Sequence, residues 1–327
     1  MLAGPTPPLH DGAMATPDPE RWPALPYAEW KDTAATLQLW TQIVGKVRLA
    51  LTPWLNHSWH VTLYVTARGL STSPIPDGAR QFQIDFDFLD HVLWIRTSDG
   101  HFRQIMLVPM PVAEFYEAVM IALSELGIAV TIRTMPCEIP NCIPFDQDTV
   151  HRSYDGDYAR RFFRVLASAY DVFSRFRTGF LGKASPVHFF WGSFDLAVTR
   201  FSGRAAPRHP GGVPHLPDAV AQEAYSHEVS SAGFWPGGDG ADAAYYSYAY
   251  PTPAGFAEAK VKPAAAFYSK ELGEFLLPYE AMRTMRDPGA ALMQFLTGTY
   301  AAAADLAKWD RKALECAMGE AGKVRAI

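Results

Sequence analysis

The sequence predicts an α+β protein of two similar halves, each with a long helix, an antiparallel sheet of about four strands and a closing helix. Three observations lead to this prediction. Apolar side chains recur at helical spacing at the start of both halves. Residues 81–88, QFQIDFDF, alternate between polar and apolar side chains, which is typical of a half-exposed antiparallel strand. A proline-rich connector over 135–145 divides the chain near residue 150.

Composition limits the classes of function. The chain has 327 residues, of which 49% are hydrophobic and 19% are charged, and its formal net charge is -5. These values are typical of a soluble globular protein. The sequence has no basic run with interleaved aromatics and no apolar run of about eighteen residues, so we expect no nucleic-acid partner and no membrane segment. Its three cysteines form no disulfide framework, which favours a cytoplasmic protein.

Residues 1–20 predict a disordered leader, because they are rich in proline, glycine and alanine and lack the pattern of a signal peptide. The N-terminal half follows over 21–150. It is predicted to begin with a helix that Asp32 or Thr33 caps and that Pro53 ends. A second helix over 111–126 stops at a glycine. The strands predicted in this half lie over 59–69, 81–88, 91–97, 103–108 and 128–133.

The C-terminal half, 151–327, is predicted to repeat this order. A helix begins near Asp157, and a closing helix runs from Asp287, followed by proline, to about Leu314. Strands are predicted on both sides of Gly192 and over 244–250 and 273–277. We interpret the matching order as an internal duplication. The second half also carries an insert over 204–243, in which a short helix is predicted from about Pro217 to Val229.

The stretch 185–203, SPVHFFWGSFDLAVTRFSG, is the first candidate for a functional site. Its apolar runs contain His188, Trp191, Asp195 and Arg200. Burying polar groups is costly unless each finds a partner, so they form either a structural network or the floor of a site. Asp195 and Arg200 are five residues apart, so on one regular strand they face opposite sides.

The insert and the strand after it add a second set of candidates. On the predicted insert helix Glu223 and His227 would share one face, and Tyr225 and Glu228 another. Trp235 belongs to an FWPGG corner that would cover the site. Tyr246, Tyr248 and Tyr250 alternate onto one strand face, which is either core or a pocket wall.

The order of these motifs resembles an uncharacterised bacterial domain-of-unknown-function family. The motifs are HFFWGSFDLAVTRFSGR, EAYSHEVSSAGFWPGG, YYSYAYP and FLLPYE, with WPALPYAEWKDTAATLQLW and WHVTLYVTARGLSTSP near the start. The resemblance covers nearly the whole chain from Trp22. The family has no established activity, so the resemblance implies a continuous fold and no reaction. The matching residues are His188, Trp191, Asp195, Arg200, Tyr225, His227, Glu228, Trp235, Tyr248, Tyr279 and Glu280.

Two classes of function remain open. In the first, the protein binds a small anionic or planar molecule in a pocket of the C-terminal half and is an enzyme if the pocket transfers protons. Arg200 would hold the anion. The candidate catalytic residues are His188, His227, Glu228 and Asp195. The candidate ligand contacts besides the arginine are Trp191, Tyr225, Trp235 and Tyr248.

In the second class, the buried polar residues are structural and the protein is a non-enzymatic binding or scaffold protein. The sequence has no dinucleotide fingerprint, phosphate loop or nucleophile elbow, so it assigns no cofactor. It assigns no metal either, because no ligand set has zinc spacing. The open alternative is a zinc site assembled from His188, His209, His215 and His227. The enzyme hypothesis requires that His188, Arg200, Glu228 and Trp235 converge on one cavity.

Overall fold

A computed structural model describes residues 18–238 and 240–325, and these fold into seven α-helices and two six-stranded antiparallel sheets. The α+β class is therefore confirmed. The predicted leader over 1–20 lies almost entirely outside the described residues. Within the described ranges, no helix combines the length and the apolar character needed to cross a membrane.

The N-terminal half contains two helices and six strands. Helix α1 spans Tyr27–Leu51 and α2 spans Val112–Glu125, so α2 matches its prediction closely. The strands of this half are β1 Tyr64–Val65, β2 Gly69–Ser71, β3 Ile75–Asp77, β4 Arg80–Asp87, β5 Val92–Thr97 and β6 Phe102–Met106.

The C-terminal half contains five helices and six strands. Its two long helices are α3, Gly156–Thr178, and α6, Pro288–Leu306. The short helices are α4 Asp218–Ala224, α5 Tyr279–Arg283 and α7 Arg311–Leu314. The strands are β7 His188–Phe190, β8 Asp195–Ala205, β9 His227–Gly238, β10 Ala241–Tyr250, β11 Phe267–Ser269 and β12 Glu274–Pro278.

The two sheets meet edge to edge. The first has the order β1-β2-β4-β5-β6, with β3 on β4, and the second has the order β11-β12-β10-β9-β8-β7. Leu63, just before β1, and Phe189 on β7 exchange two backbone hydrogen bonds, of 2.9 and 2.7 Å. One apolar core runs through both halves. The division near residue 150 and the internal duplication stay predictions.

Three predicted elements of the N-terminal half are wrong. Helix α1 begins five residues before the predicted cap, because Trp30 extends the apolar stripe and packs on Phe162 of α3. The predicted strand over 59–69 is mostly irregular, because His57 and Ser58 have φ values of 57° and turn the chain around the joint of the two halves. The segment 128–133 forms no ladder, although Ile128 and Ile132 are buried in the core.

The predicted insert is also wrong in its second part. Helix α4 ends at Ala224, and β9 begins at His227. This strand is central, with β8 on one side and β10 on the other, so the sheet satisfies its backbone groups from both edges. The connection between β8 and β9 therefore covers only residues 206–226.

Candidate functional site

The four residues required to converge, His188, Arg200, Glu228 and Trp235, do not meet in one cavity. Arg200 lies on the core-facing side of β8, where its guanidinium is 3.6 Å from the ring centre of Phe176 and 4.3 Å from that of Tyr300. It also donates a hydrogen bond to the carbonyl of Phe176. Burial lowers the pKa of Arg200 to about 10. The Arg200 guanidinium is therefore packed among core residues of β8, α3 and α6.

Two further candidates join elements of the fold. Glu228 accepts hydrogen bonds from Arg204 at 2.9 and 2.6 Å, and Arg204 also donates to the carbonyl of Ala307 at the end of α6. Trp191 is buried and donates from Nε1 to the carbonyl of Val61 at 2.7 Å, which ties β7 to the N-terminal half. Both contacts are structural.

The other candidates divide between two regions. The first, here called the acidic tyrosine cluster, consists of Glu138, Asp195, Tyr225, Tyr246, Tyr248 and Glu274. Asp195 lies on the face of β8 opposite Arg200, as the five-residue spacing predicts. Strand register places Tyr246 and Tyr248 on the same face, since they pair with Gly233 and Ser231 of β9, which pair with Ala197 and Thr199 of β8.

Hydrogen bonds connect this cluster internally. Asp195, which is 6% exposed, accepts from Tyr246 and from Ser193. The hydroxyls of Tyr225 and Tyr248 are 2.9 Å apart. Trp235 faces the same side of the sheet near Gly238, whereas Phe234 is in the core, so the predicted aromatic pair is split between the two faces.

The carboxyl groups of the cluster repel one another. Burial, together with the charge of Asp195, raises the pKa of Glu138 to about 7, and it does the same for Glu274. Burial also raises the pKa of Asp195. Glu138 packs closely on Gly192, where a Cβ atom would lie 2.0 Å from Oε1. Any Cβ at position 192 would therefore displace the connector that carries Glu138.

The second region, here called the junction cluster, lies where the two sheets meet. It consists of Arg48, His57, Trp59, His60, Tyr64, Lys183, His188, Glu223 and His227. Its central side chain is Trp59. The ring of Trp59 is 6.3 Å from that of His188, and it is 5.3 Å both from Lys183 Nζ and from the His57 ring.

Around Arg48 several buried side-chain nitrogens lack protein partners, although His60 Nδ1 contacts the backbone of Leu55. Arg48 is 7% exposed and its Nε and Nη1 have no hydrogen-bond partner. His188 Nδ1 and His60 Nε2 are likewise buried without a partner. The Arg48 guanidinium lies 5.3 Å from the ring centre of Tyr64, and the Tyr64 and His188 rings are 6.5 Å apart. Among the residues described, no carboxylate pairs with Arg48.

This environment disfavours positive charge on the histidines. Burial and the charges of Arg48 and Arg177 lower the pKa of His188 to about 3. Burial is also the main reason that the pKa of His60 lies below its usual value. Both imidazoles are therefore neutral at pH 7. A neutral imidazole beside an arginine can accept or donate a hydrogen bond without adding charge.

In the other part of the junction cluster, His57 contacts the end of α4, just before β9. His57 Nδ1 is 3.0 Å from the carbonyl oxygen of Ala224, and the rings of His57 and His227 are 6.3 Å apart. Glu223 accepts from the indole of Trp54 at 2.6 Å. The end of α4 therefore covers this side of the junction cluster, while Lys183 remains exposed.

The four histidines of the zinc alternative lie apart. His209 stacks on Tyr225, with ring centres 4.6 Å apart, and His215 approaches the carbonyl of Pro140 at 3.2 Å. His188 and His227 belong to the two sides of the junction cluster. In the parts of the chain that the structure describes, no three His, Cys, Asp or Glu residues are arranged to hold a metal ion.

Sequence reasoning missed Arg48, His57, Trp59, Tyr64 and Lys183. The best available signal was the segment 54–60, WLNHSWH, which places two tryptophans and two histidines within seven residues. The prediction of one strand over 59–69 divided this segment, so the signal was not recognised. No sequence signal indicated Arg48, because it follows Val47 in a helix whose apolar stripe explains the neighbouring residues.

Comparison with known proteins places the chain in a family. The model described as a family of unknown function (DUF5996) matches residues 22–316. The chain therefore belongs to this family, and the resemblance seen in its motifs is confirmed. No curated protein and no solved structure matches the chain.

Proposed function

We propose that this DUF5996 protein binds a small anionic molecule at the junction of its two halves, beside Arg48 and His188. The proposed site keeps the His/Arg/Glu/aromatic composition that the sequence predicts for a pocket in the C-terminal half, with two changes. Arg48 replaces Arg200 as the anion-binding residue, and Glu223 replaces Glu228 as the acid of the pocket. The site uses residues of both halves.

The buried guanidinium of Arg48 is the observation that supports this proposal. Moving a charge out of water is unfavourable unless another charge or hydrogen bonds compensate. Arg200 has a carbonyl and three aromatic rings around it and lacks a partner only at Nε, whereas Arg48 has one aromatic ring nearby and lacks an acceptor at both Nε and Nη1. A carboxylate or phosphate group would supply acceptors in the planar geometry that guanidinium favours.

The aromatic neighbours favour a ligand with a planar part. Trp59 and Tyr64 are half-buried and flank His188 at 6.3 and 6.5 Å. Aromatic rings stack on planar groups and contribute apolar contact area. The neutral His188 would donate to or accept from the anionic group, and its pKa would rise once an anion lies beside it.

Calorimetric titration with inorganic phosphate, citrate and benzoate tests the proposal. We expect at least one of them to bind, and we expect Arg48→Gln to weaken that binding by about tenfold or more, since a charge-assisted hydrogen bond contributes about 1.5–3 kcal/mol. Arg152→Gln, which changes an exposed arginine, is the matched control and should leave affinity unchanged. Equal affinity in wild type and Arg48→Gln would refute the site.

A scaffold function without a ligand is the second candidate, and the structural roles of Arg200, Trp191 and Glu228 favour it. Absence of binding by every anion, with Arg48→Gln folding normally, would support this candidate. The cytoplasm is the proposed compartment, because Cys137, Cys142 and Cys316 are all free.

A further inference from the structure

Lys183 lies in a hydrogen-bonded chain that resembles an activated nucleophile. Its Nζ is 2.6 Å from His57 Nε2, and His57 Nδ1 is 3.0 Å from the carbonyl oxygen of Ala224. A carbonyl oxygen only accepts hydrogen bonds, so Nδ1 carries the ring proton and Nε2 presents its lone pair to Lys183. The three groups thus form a series: the Lys183 amine, the His57 imidazole as a base, and the Ala224 carbonyl, which orients the imidazole.

The surroundings of Lys183 keep its amine partly out of water. Nζ lies 5.3 Å from the ring centre of Trp59 and 4.8 Å from that of Phe201. Burial lowers the pKa of Lys183 and is also the main cause of the lowered pKa of His57. Lys183 as a whole is an exposed residue, so a small molecule can approach it from solvent.

The backbone around His57 supports a functional reading. His57 and Ser58 both have φ values of 57°, a conformation that costs free energy for residues other than glycine. Such strain persists where the surrounding structure enforces it, and it is concentrated at functional sites. Here it turns the His57 ring toward Lys183 and Ala224.

We propose that Lys183 is a reactive amine that forms an imine with a small aldehyde or ketone, with His57 as the base. The neutral amine attacks the carbonyl carbon, and the proton that Nζ loses passes to His57 Nε2. His57 passes that proton to the alkoxide oxygen, which gives the neutral carbinolamine. The second Nζ proton then follows the same route through His57 to the hydroxyl group, which leaves as water while the nitrogen lone pair forms the C=N bond. The step needs no oxidant or reductant.

This inference goes beyond the proposed anion site, because Lys183 contacts His57, Trp59 and Phe201, whereas Arg48 contacts Tyr64. The two sites can therefore fail independently. The Arg48 site is tested with phosphate, citrate and benzoate, none of which forms an imine. An aldehyde without a charge, such as propanal, tests Lys183 without involving Arg48.

Reductive trapping with propanal and cyanoborohydride, followed by peptide mass spectrometry, tests the proposal. At pH 7 we expect Lys183 to be alkylated at least tenfold faster than any other lysine. His57→Gln should remove most of that advantage, and Lys183→Arg should remove the adduct. Lys270→Arg, a change at an exposed lysine, is the control and should leave Lys183 labelling unchanged.

The labelling pattern decides the outcome, because circular dichroism can verify that each variant is folded. Labelling of Lys183 at the rate of the surface lysines would overturn the proposal. Preferential labelling of Lys183 that persists in His57→Gln would overturn the role of His57 as the base. A faster reaction with glyoxylate than with propanal, lost in Arg48→Gln, would connect the two sites.

Discussion

The acidic tyrosine cluster and the junction cluster lie on the same sheet face but satisfy their polar groups differently. In the first, Asp195 accepts hydrogen bonds from Ser193 and Tyr246, so the protein supplies the donors. In the second, buried nitrogens of Arg48, His60 and His188 have no protein acceptor or donor. We therefore expect the first network to stabilise the fold and the second to reduce its stability.

The sign of the charge differs as well. Glu138, Asp195 and Glu274 place three carboxyl groups in the acidic tyrosine cluster, and each has a pKa raised by burial. The junction cluster combines Arg48 and Lys183 with histidines whose pKa values are lowered. Carboxyls with raised pKa values become neutral by keeping a proton, whereas an arginine cannot lose its proton at physiological pH. In the junction cluster, Arg48 therefore keeps a buried charge at pH 7.

Opposite pH dependences of stability are the largest expected difference between the clusters. The pKa of His188 is about 3, below the ordinary 6.5, so the stability it contributes is present above pH 6.5 and is lost as pH falls toward 3. The pKa of Glu138 is about 7, above the ordinary 4.5, so its contribution is present below pH 4.5 and is lost as pH rises through 7. We expect the pH-dependent contribution to the free energy of unfolding to be about 2 to 4 kcal/mol for His188 and about 1 to 3 kcal/mol for Glu138.

Urea unfolding from pH 3 to 8 measures both effects by subtraction. The His188→Gln variant should lose less stability than wild type on acidification, and Glu138→Gln should lose less between pH 4.5 and 7. Each variant serves as the control for the other. For each variant, the difference in the free energy of unfolding from wild type is followed against pH. If both differences change in the same direction with pH, the two clusters are not electrostatically distinct.

A smaller difference is expected between the two buried arginines. Arg48→Met removes a buried charge without acceptors at Nε and Nη1, so the free energy of unfolding should rise by about 1 to 2 kcal/mol. Arg200→Met removes a hydrogen bond and contacts with three aromatic rings, so the free energy of unfolding of this variant should fall by about 1 to 2 kcal/mol. Chemical denaturation of both variants checks this pair. Destabilisation by Arg48→Met would mean that the guanidinium is satisfied and would weaken the case for an anion site.

Local patterns predicted most of the fold and one of the two clusters in part. Period-two alternation placed Asp195 and Arg200 on opposite faces and Tyr246 with Tyr248 on one face, because side-chain direction in a strand depends only on position. The same reasoning failed at residues 225–229, where helical and extended spacing both fit. Strand pairing on both sides decided the conformation there, and sequence spacing does not contain that information.

The junction cluster could not be predicted, because it depends on contacts between distant parts of the chain. Arg48 and His188 are separated by 140 positions and meet only because Leu63 pairs with Phe189. Each residue has a plain explanation in its own segment, as a helix residue next to an apolar stripe or as a polar residue in a strand. Their shared lack of partners is visible only once the sheets are joined.

The smallest expected effect concerns the strained backbone beside His57 in the junction cluster. Ser58 has a φ of 57°, and glycine adopts this conformation at no steric cost, so Ser58→Gly should change the free energy of unfolding by about +0.5 to +1 kcal/mol. Ser73→Gly is the matched control, because Ser73 has a φ of 59° and belongs to neither cluster. Chemical denaturation should show that both glycine variants are more stable than the wild type.

If strain positions His57, only Ser58→Gly should also slow the trapping of Lys183 by propanal, since a relaxed turn holds the imidazole less firmly. Equal trapping rates in the two glycine variants would show that the strain serves only the turn, and the geometry of His57 would then have to come from its contact with Ala224.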